Sequence, residues 1–302
     1  MESKDEFIYK VYIDIKSVND WLATENILSV VECLEYNQIG VLDFSNLNDL
    51  NPYGVIMLLT INRRIYEITG REIKFINIRS KTLIYLEKVG FFKTDLFDAD
   101  IELDTILWDE AGHELFKEFC NDLERITTLE EKRFVVEKIR SSLEVWLPEE
   151  KYRMLRSQAI SAFMEISANA LEHSRNSNKM GECFIMMQKY EVKNALEIYI
   201  VIADFGIGIR KHLTNKYGEI YKDDCSYIKE ALSGQSGRKV EGGGFGLQSI
   251  QDIIANNMGS LIVRSNKGLV EIKDQIIDFE GTLETAGTQV AIILRKKLDN
   301  SL

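Results

Sequence analysis

The 302-residue chain is expected to be α/β throughout, with an N-terminal α/β domain over 1–100, a helical connector over 101–150 and a C-terminal α/β sandwich over 151–302. Three observations carry this expectation. The first hundred residues alternate short β-branched runs with helical periodicities. Residues 101–150 are dense in charge with apolar residues at helical spacing. Beyond them, long Ile-rich runs are set between glycine-bearing turns and amphipathic segments.

In chain order, Phe7–Ile15 alternates and is rich in Tyr, Val and Ile, which predicts a strand. A helix is expected from Val18 to about Tyr36, then a buried strand at Gly40–Phe44, closed by the Asn-rich turn SNLNDLNPYG. Gly54–Ile68 carries Ile56, Leu59, Ile61, Ile65 and Ile68 at roughly helical spacing. A strand at Ile73–Ile78 and a helix at Lys81–Val89, stopped by Gly90, complete the layer. In the connector, Leu107, Trp108, Leu115, Phe116, Phe119 and Leu123 fit one helix. Phe134, Val135, Ile139, Leu143 and Trp146 fit another, ended near Pro148. His113-Glu114-Leu115 is best accounted for as part of a solvated helix.

The helix at Ala159–Ser174 places Ile160, Phe163, Met164, Ser167 and Leu171 on one side and Glu165, Asn169 and Glu172 together on another. An ordinary amphipathic helix would give the same stripe, and only the residues C-terminal to it suggest chemistry. Two strands come next, Glu182–Met187 and Leu196–Ala203. The second runs into Asp204-Phe205-Gly206-Ile207-Gly208. A carboxylate ending a buried strand can accept from an exocyclic amine, and glycines without a Cβ let backbone lie flush against a ring; together they suit a purine pocket. Lys211–Glu241 has the polar, Gly- and Ser-containing composition of a mobile lid. It ends in Glu241-Gly242-Gly243-Gly244-Phe245-Gly246-Leu247, opening a helix over Leu247–Ala255, an arrangement that exposes N–H groups to phosphate. Gly281–Leu294 holds Gly287-Thr288 before a last strand.

Composition narrows the function. A net charge of −11 argues against broad electrostatic binding to nucleic acid or an anionic membrane. Cys33, Cys120, Cys183 and Cys225 lie far apart, without metal-ligand or disulfide-framework spacing. The charged N-terminus is unlike a signal peptide, and no apolar run approaches the ~18 residues of a membrane span, so a cytoplasmic protein is expected.

The segments VLDFSNLNDLNPYGVIMLL, EIKFINI and LIYLEKVGF resemble the STAS domain of bacterial anti-sigma-factor antagonists. The resemblance implies a docking or switch module. Antagonists of this type are phosphorylated on a Ser or Thr just before the glycine that opens a helix; here Tyr53 holds that place, before Gly54.

The C-terminal boxes are similar in order and spacing to those of the GHKL (Bergerat-fold) ATPases. That superfamily includes gyrase, mismatch-repair and heat-shock chaperone ATPases, histidine kinases and anti-sigma-factor serine kinases. The likeness covers about Leu147–Leu298. It implies a four- or five-stranded mixed sheet with helices on one face, binding ATP and Mg²⁺. Asn169 would hold Mg²⁺ and Glu165 would be the general base. Asp204 would take the adenine amine with Thr288 beside it, and Gly206 and Gly208 would shape the base pocket. Gly242, Gly244, Gly246 and Leu247 would cradle phosphates, with Arg238 and Lys239 placed to reach the γ-phosphate.

Histidine kinases of this superfamily generally carry Asn at the position of Glu165, so an ATPase acting on partner contacts through the N-terminal domain is the expected use. The alternatives are a protein serine kinase acting on a STAS-type partner, or an ATP-gated binding module without turnover. An unidentified protein partner is expected, and because the superfamily commonly dimerises, a homodimer is among the expected states.

Overall fold

A computed structural model describes residues 9–94, 96, 99–108, 123–174, 181–192, 195–233, 246–257, 259–273 and 275–297. The chain divides into two compact units, Met1–Lys117 and Glu118–Leu302. Both are α/β.

The first unit is built on a parallel sheet in the order β1-β2-β3-β4, formed by Lys10–Asp14 (β1), Ile39–Asp43 (β2), Ile73–Ile76 (β3) and Ala99–Ile101 (β4). Sequential parallel order with right-handed crossovers leaves the connecting helices on one face. Accordingly Trp21–Val31 (α1) and Pro52–Thr69 (α2) pack together against the sheet, and Ser80–Lys88 (α3) follows β3. Local chemistry sets the boundaries. The Asp20 side chain accepts from the Ala23 N–H and caps α1; Asn51 accepts from the Gly54 N–H at 2.8 Å and caps α2, with Pro52 in its first turn. Gly70, at φ 64°, ends α2 in the left-handed conformation. Phe44, Phe75 and Phe91 are fully buried, with the first two ring centroids 5.0 Å apart.

The second unit is a five-stranded sheet in the order β5-β6-β7-β9-β8, made of Glu124–Ile126 (β5), Cys183–Val192 (β6), Ala195–Asp204 (β7), Ser260–Ile272 (β8) and Ile276–Lys297 (β9). Every pairing is antiparallel, so the sheet is not the mixed one expected. The short β6–β7 and β8–β9 connections make hairpins, and a hairpin pairs its strands antiparallel. One face carries Ile198, Ile200 and Ile202 of β7 and Val290, Ile292 and Leu294 of β9. These form a core with the helices Leu129–Trp146 (α4), Arg153–His173 (α5), Gly208–Tyr217 (α6), Asp224–Leu232 (α7) and Gly246–Asn256 (α8).

Several expectations change. Within the connector span, β5 is an edge strand of the second sheet and α4 buries Val135, Ile139, Leu143 and Trp146 in the second core. Leu107 is not helical but bridges in parallel to Arg79, Trp108 is 80% exposed, and Leu123 is buried but not helical, just before β5; Leu115, Phe116 and Phe119 of that expected helix, with His113, fall outside the described residues. The expected lid contains two helices, because α6 buries Ile209 and Leu213 one turn apart and α7 buries Cys225, Ile228 and Leu232 at helical spacing. On α5 the buried stripe runs through Leu155, Ala159, Ala162, Phe163, Ile166, Ala170 and Leu171. Met164, assigned to the apolar side from sequence, is 45% exposed, since small alanines let the helix seat on a different face. No described helix is long and apolar enough to cross a membrane.

Gly54 is fixed by close packing at the corner of α2. A Cβ there would lie 2.5 Å from Asn19 Oδ1 and 2.7 Å from Leu50 Cδ1, and the same Asn19 oxygen accepts the Asn51 N–H. Gly54→Ala should destabilise the first unit by about 1–3 kcal/mol through overpacking. Denaturant unfolding checks this, and an unchanged midpoint would show the corner to be compliant.

Candidate functional site

The site is assembled where β7 ends beside β9. Asp204 is the last residue of β7 and pairs across the ladder with Thr288 of β9 and Cys183 of β6. The chain turns at once, and the Gly206 N–H donates to Asp204 Oδ1 at 2.8 Å. The Thr288 backbone N–H donates to the same carboxyl group. Asp204 is only 2% exposed, and no cationic side chain pairs with it among the described residues. Burial therefore pushes its carboxyl up to about 7, against the lowering effect of the two amides. The same burial, with the nearby Asp204 carboxyl second, pushes the Cys183 thiol up.

Two glycines make the close approach possible. Gly287 sits at φ 69°, and a Cβ there would lie 2.1 Å from the Asp204 carbonyl oxygen and 2.7 Å from its Oδ1. Gly208, at φ 74° and opening α6, would place a Cβ 2.1 Å from Asn266 Oδ1. Neither position admits a side chain.

Sequence reasoning missed Ser265. This 1% exposed residue of β8 accepts the Ile209 N–H at 2.9 Å and donates to the Gly287 carbonyl at 3.1 Å, and its Oγ lies 3.2 Å from Thr288 Oγ1. It ties the glycine turn after β7 to the Gly287-Thr288 strand. The next residue, Asn266 at φ 53°, sits in an irregularity of the β8–β9 register. A serine inside the β-branched run SLIVRS is the signal that could have found it.

Glu165 and Asn169 lie one turn apart on α5, both half-buried at the edge of its buried stripe. α5 packs on β6, β7 and β9. α5 also contacts α6, and the Glu172 charge is felt at His212 of α6. Burial lowers the basicity of His212, and Glu172 partly restores it. Thus Asp204, Gly206, Gly208 and Thr288 come together, with α5 packed on the strand that ends in Asp204. Gly246 and Leu247 open α8, which packs on α5. Gly242, Gly244, Arg238 and Lys239 lie outside the described residues. No group of three or more metal-ligating His, Cys, Asp or Glu exists among the described residues.

Chemically, this is a buried carboxyl group at a glycine-bearing turn. An ionised carboxylate offers about four acceptor positions, and the two amide donors leave capacity for a donor from outside the chain. Comparison with models of known protein families finds no match, and comparison with curated proteins finds no significant one.

Between about pH 4 and pH 7 Asp204 is protonated when folded but ionised when unfolded. The folded state then binds the extra proton, so stability falls as pH rises through that window and stays low above it. Asp204→Asn keeps the acceptor oxygen for Gly206 and Thr288 without the charge. It should exceed the wild type in unfolding free energy by roughly 1–3 kcal/mol near pH 8, and by much less near pH 5. A pH-independent difference in paired unfolding curves would remove the buried carboxylate as the cause.

Proposed function

We propose that the second unit binds Mg·ATP and hydrolyses it, and that the nucleotide state governs contacts with a protein partner through the STAS-like first unit. The observation that carries the reading is the Asp204 carboxylate, held by two backbone amides at the end of a strand, with no cationic partner among the described residues. A buried charge left in that state is costly, and it is explained when a ligand donor completes it. The adenine exocyclic amine is such a donor; the O6 of guanine is not.

The remaining residues take roles their chemistry allows. Gly206 would let a flat ring lie against backbone beside Asp204, Gly208 and Gly287 let the surrounding chain pack closely there, and Ser265 holds the two sides of that junction in register. Asn169 would offer one neutral oxygen to Mg²⁺, whose shell is usually completed by phosphate oxygens and water rather than by a protein cage. ATP supplies the transferable γ-phosphoryl group. Glu165 would accept the proton of the attacking water, and Glu172 with His212 would fix the neighbouring turn of α5 against α6. The GHKL likeness of the boxes supports the same roles.

The test is incubation with γ-labelled ATP and Mg²⁺. Free phosphate is expected; label on an added STAS-type protein would instead make this a kinase, and neither product would leave a binding module. Glu165→Gln keeps shape while removing basicity, so turnover should fall about 10²–10⁴-fold with nucleotide affinity retained. Asn169→Ala should weaken Mg²⁺-dependent nucleotide binding itself. Wild-type turnover in Glu165→Gln would demote Glu165 to a residue of a solvated stripe.

Within the same incubation, the first unit should remain unlabelled. Tyr53 occupies the STAS acceptor place but is only 3% exposed, packed in the first turn of α2. Mass spectrometry locating phosphate on Tyr53 would overturn that expectation.

A further inference from the structure

α4 and α5 pack side by side and leave between them an open cleft of 430 Å³. Arg140 and Glu144 of α4 form one wall. Arg153, Arg156, Ile160 and Met164 of α5 form the other, at spacings of three and four that put them on one helical face, with the Ser157 and Ser161 hydroxyls beside them. Three guanidinium groups and one carboxylate line the cleft, with Glu137 and Glu150 paired to two of the arginines, in a chain whose net charge is −11.

The arginines differ in how firmly they are held. Arg156 donates to the carbonyl oxygen of Leu147 and, at 3.1 Å, to that of Glu149, which anchors its fork just beyond the end of α4. Arg140 and Arg153 make only loose surface pairs, with Glu137 at 3.4 Å and Glu150 at 3.2 Å, and Arg153 and Glu150 are each 78% exposed. Exposed pairs of this kind are weak and screened by salt, so their carboxylates exchange readily for others. A guanidinium fork matches a carboxylate bidentately. Between the charges, half-buried Ile160 and 45% exposed Met164 supply an apolar strip, and methionine adapts to differently shaped side chains.

We propose that this cleft docks an acidic segment of a partner protein, with carboxylates on Arg140 and Arg153 and an apolar side chain on Ile160 and Met164. The net charge of −11 disfavours non-specific association with such a segment. This does not depend on the nucleotide reading, because binding is measured without ATP.

The experiment is fluorescence anisotropy of the full chain with a labelled Glu/Leu peptide of about twelve residues, beside a Lys/Leu peptide and a phosphoserine/Leu peptide of equal length. Saturable binding of the Glu/Leu peptide is expected, weakening at least about tenfold between low and physiological salt. Replacing Arg140 and Arg153 together by Ala should weaken it at least about tenfold. Replacing both by Lys should weaken it less, since charge is kept and the fork lost. Circular dichroism establishes that each variant is folded, and the Lys pair serves if the Ala pair is not. Binding of the phosphoserine peptide alone would overturn the carboxylate source in favour of a phosphorylated segment. Equal binding of the Lys/Leu peptide, absence of saturable binding, or undiminished binding by both variants would overturn the site. A wild-type dimer in sedimentation that the substitutions dissociate would make the occupant a second copy, not a partner.

Discussion

Much of the second unit depends on keeping one carboxylate buried. Asp204 ends β7 with the amides of Gly206 and Thr288 as its donors, and each neighbouring feature follows from accommodating it. Thr288 must sit opposite Asp204 in the β7–β9 ladder, which fixes the register of both long strands. Gly287 must lack a Cβ because its backbone passes close to the Asp204 carbonyl. Ser265 must be polar, since a buried hydroxyl there satisfies the Ile209 amide and the Gly287 carbonyl together. Burying an acid with only amide donors among the described residues costs stability, and the fold retains the arrangement across three strands and a helix start.

α5 links the two regions of interest. It carries Glu165, Asn169 and Glu172 on one face and Arg153, Arg156, Ile160 and Met164 on another, roughly 140° around the helix axis. Lys132 of α4 donates to the Met164 carbonyl at 2.9 Å, next to Glu165, so the α4–α5 junction and the candidate base share one turn of helix. On the two proposals together, a partner segment in the cleft and a nucleotide at Asp204 would each act on the same rigid element. Coupling between them would need no long relay, only a helix with two preferred seatings.

The elements of the first unit were legible because each obeys a local rule: alternation in β1, a capping Asn and an N-terminal Pro in α2, glycine at its end. The strands β4 and β5 were not, since three residues are too few to set a period and their pairing is decided by distant partners. In the second unit, Asp204, Gly206, Gly208 and Thr288 were legible as spaced boxes, and the structure brings them to one ladder position. Ser265 was invisible because its role depends on β8 lying beside β9, a fact of register and not of composition. The buried face of α5 was misassigned for a related reason: Met164 is as apolar as Phe163, and only the surrounding packing decides that alanines take the core. The supposed lid hid α6 and α7 because polar, glycine-flanked sequence obscured short apolar stripes.

The first unit contains its own control for what a strand-end carboxylate signifies. Asp43 closes β2 much as Asp204 closes β7, and it too accepts from the amide two residues on, that of Ser45, at 2.9 Å. There the likeness stops. Asp43 also accepts from the Asn77 side chain at 2.9 Å and stays half-exposed; burial alone would raise it, but the Asn77 and Ser45 hydrogen bonds outweigh burial and hold it below the usual carboxylate range. Asp43 is therefore an ionised structural acceptor whose donors are already supplied from within the chain. Asp204 has the same local turn but almost no exposure and, among the described residues, no side-chain donor, and burial wins. The difference lies in what surrounds the acid, not in the motif, and it separates a carboxylate that finishes a turn from one still able to accept a ligand's hydrogen.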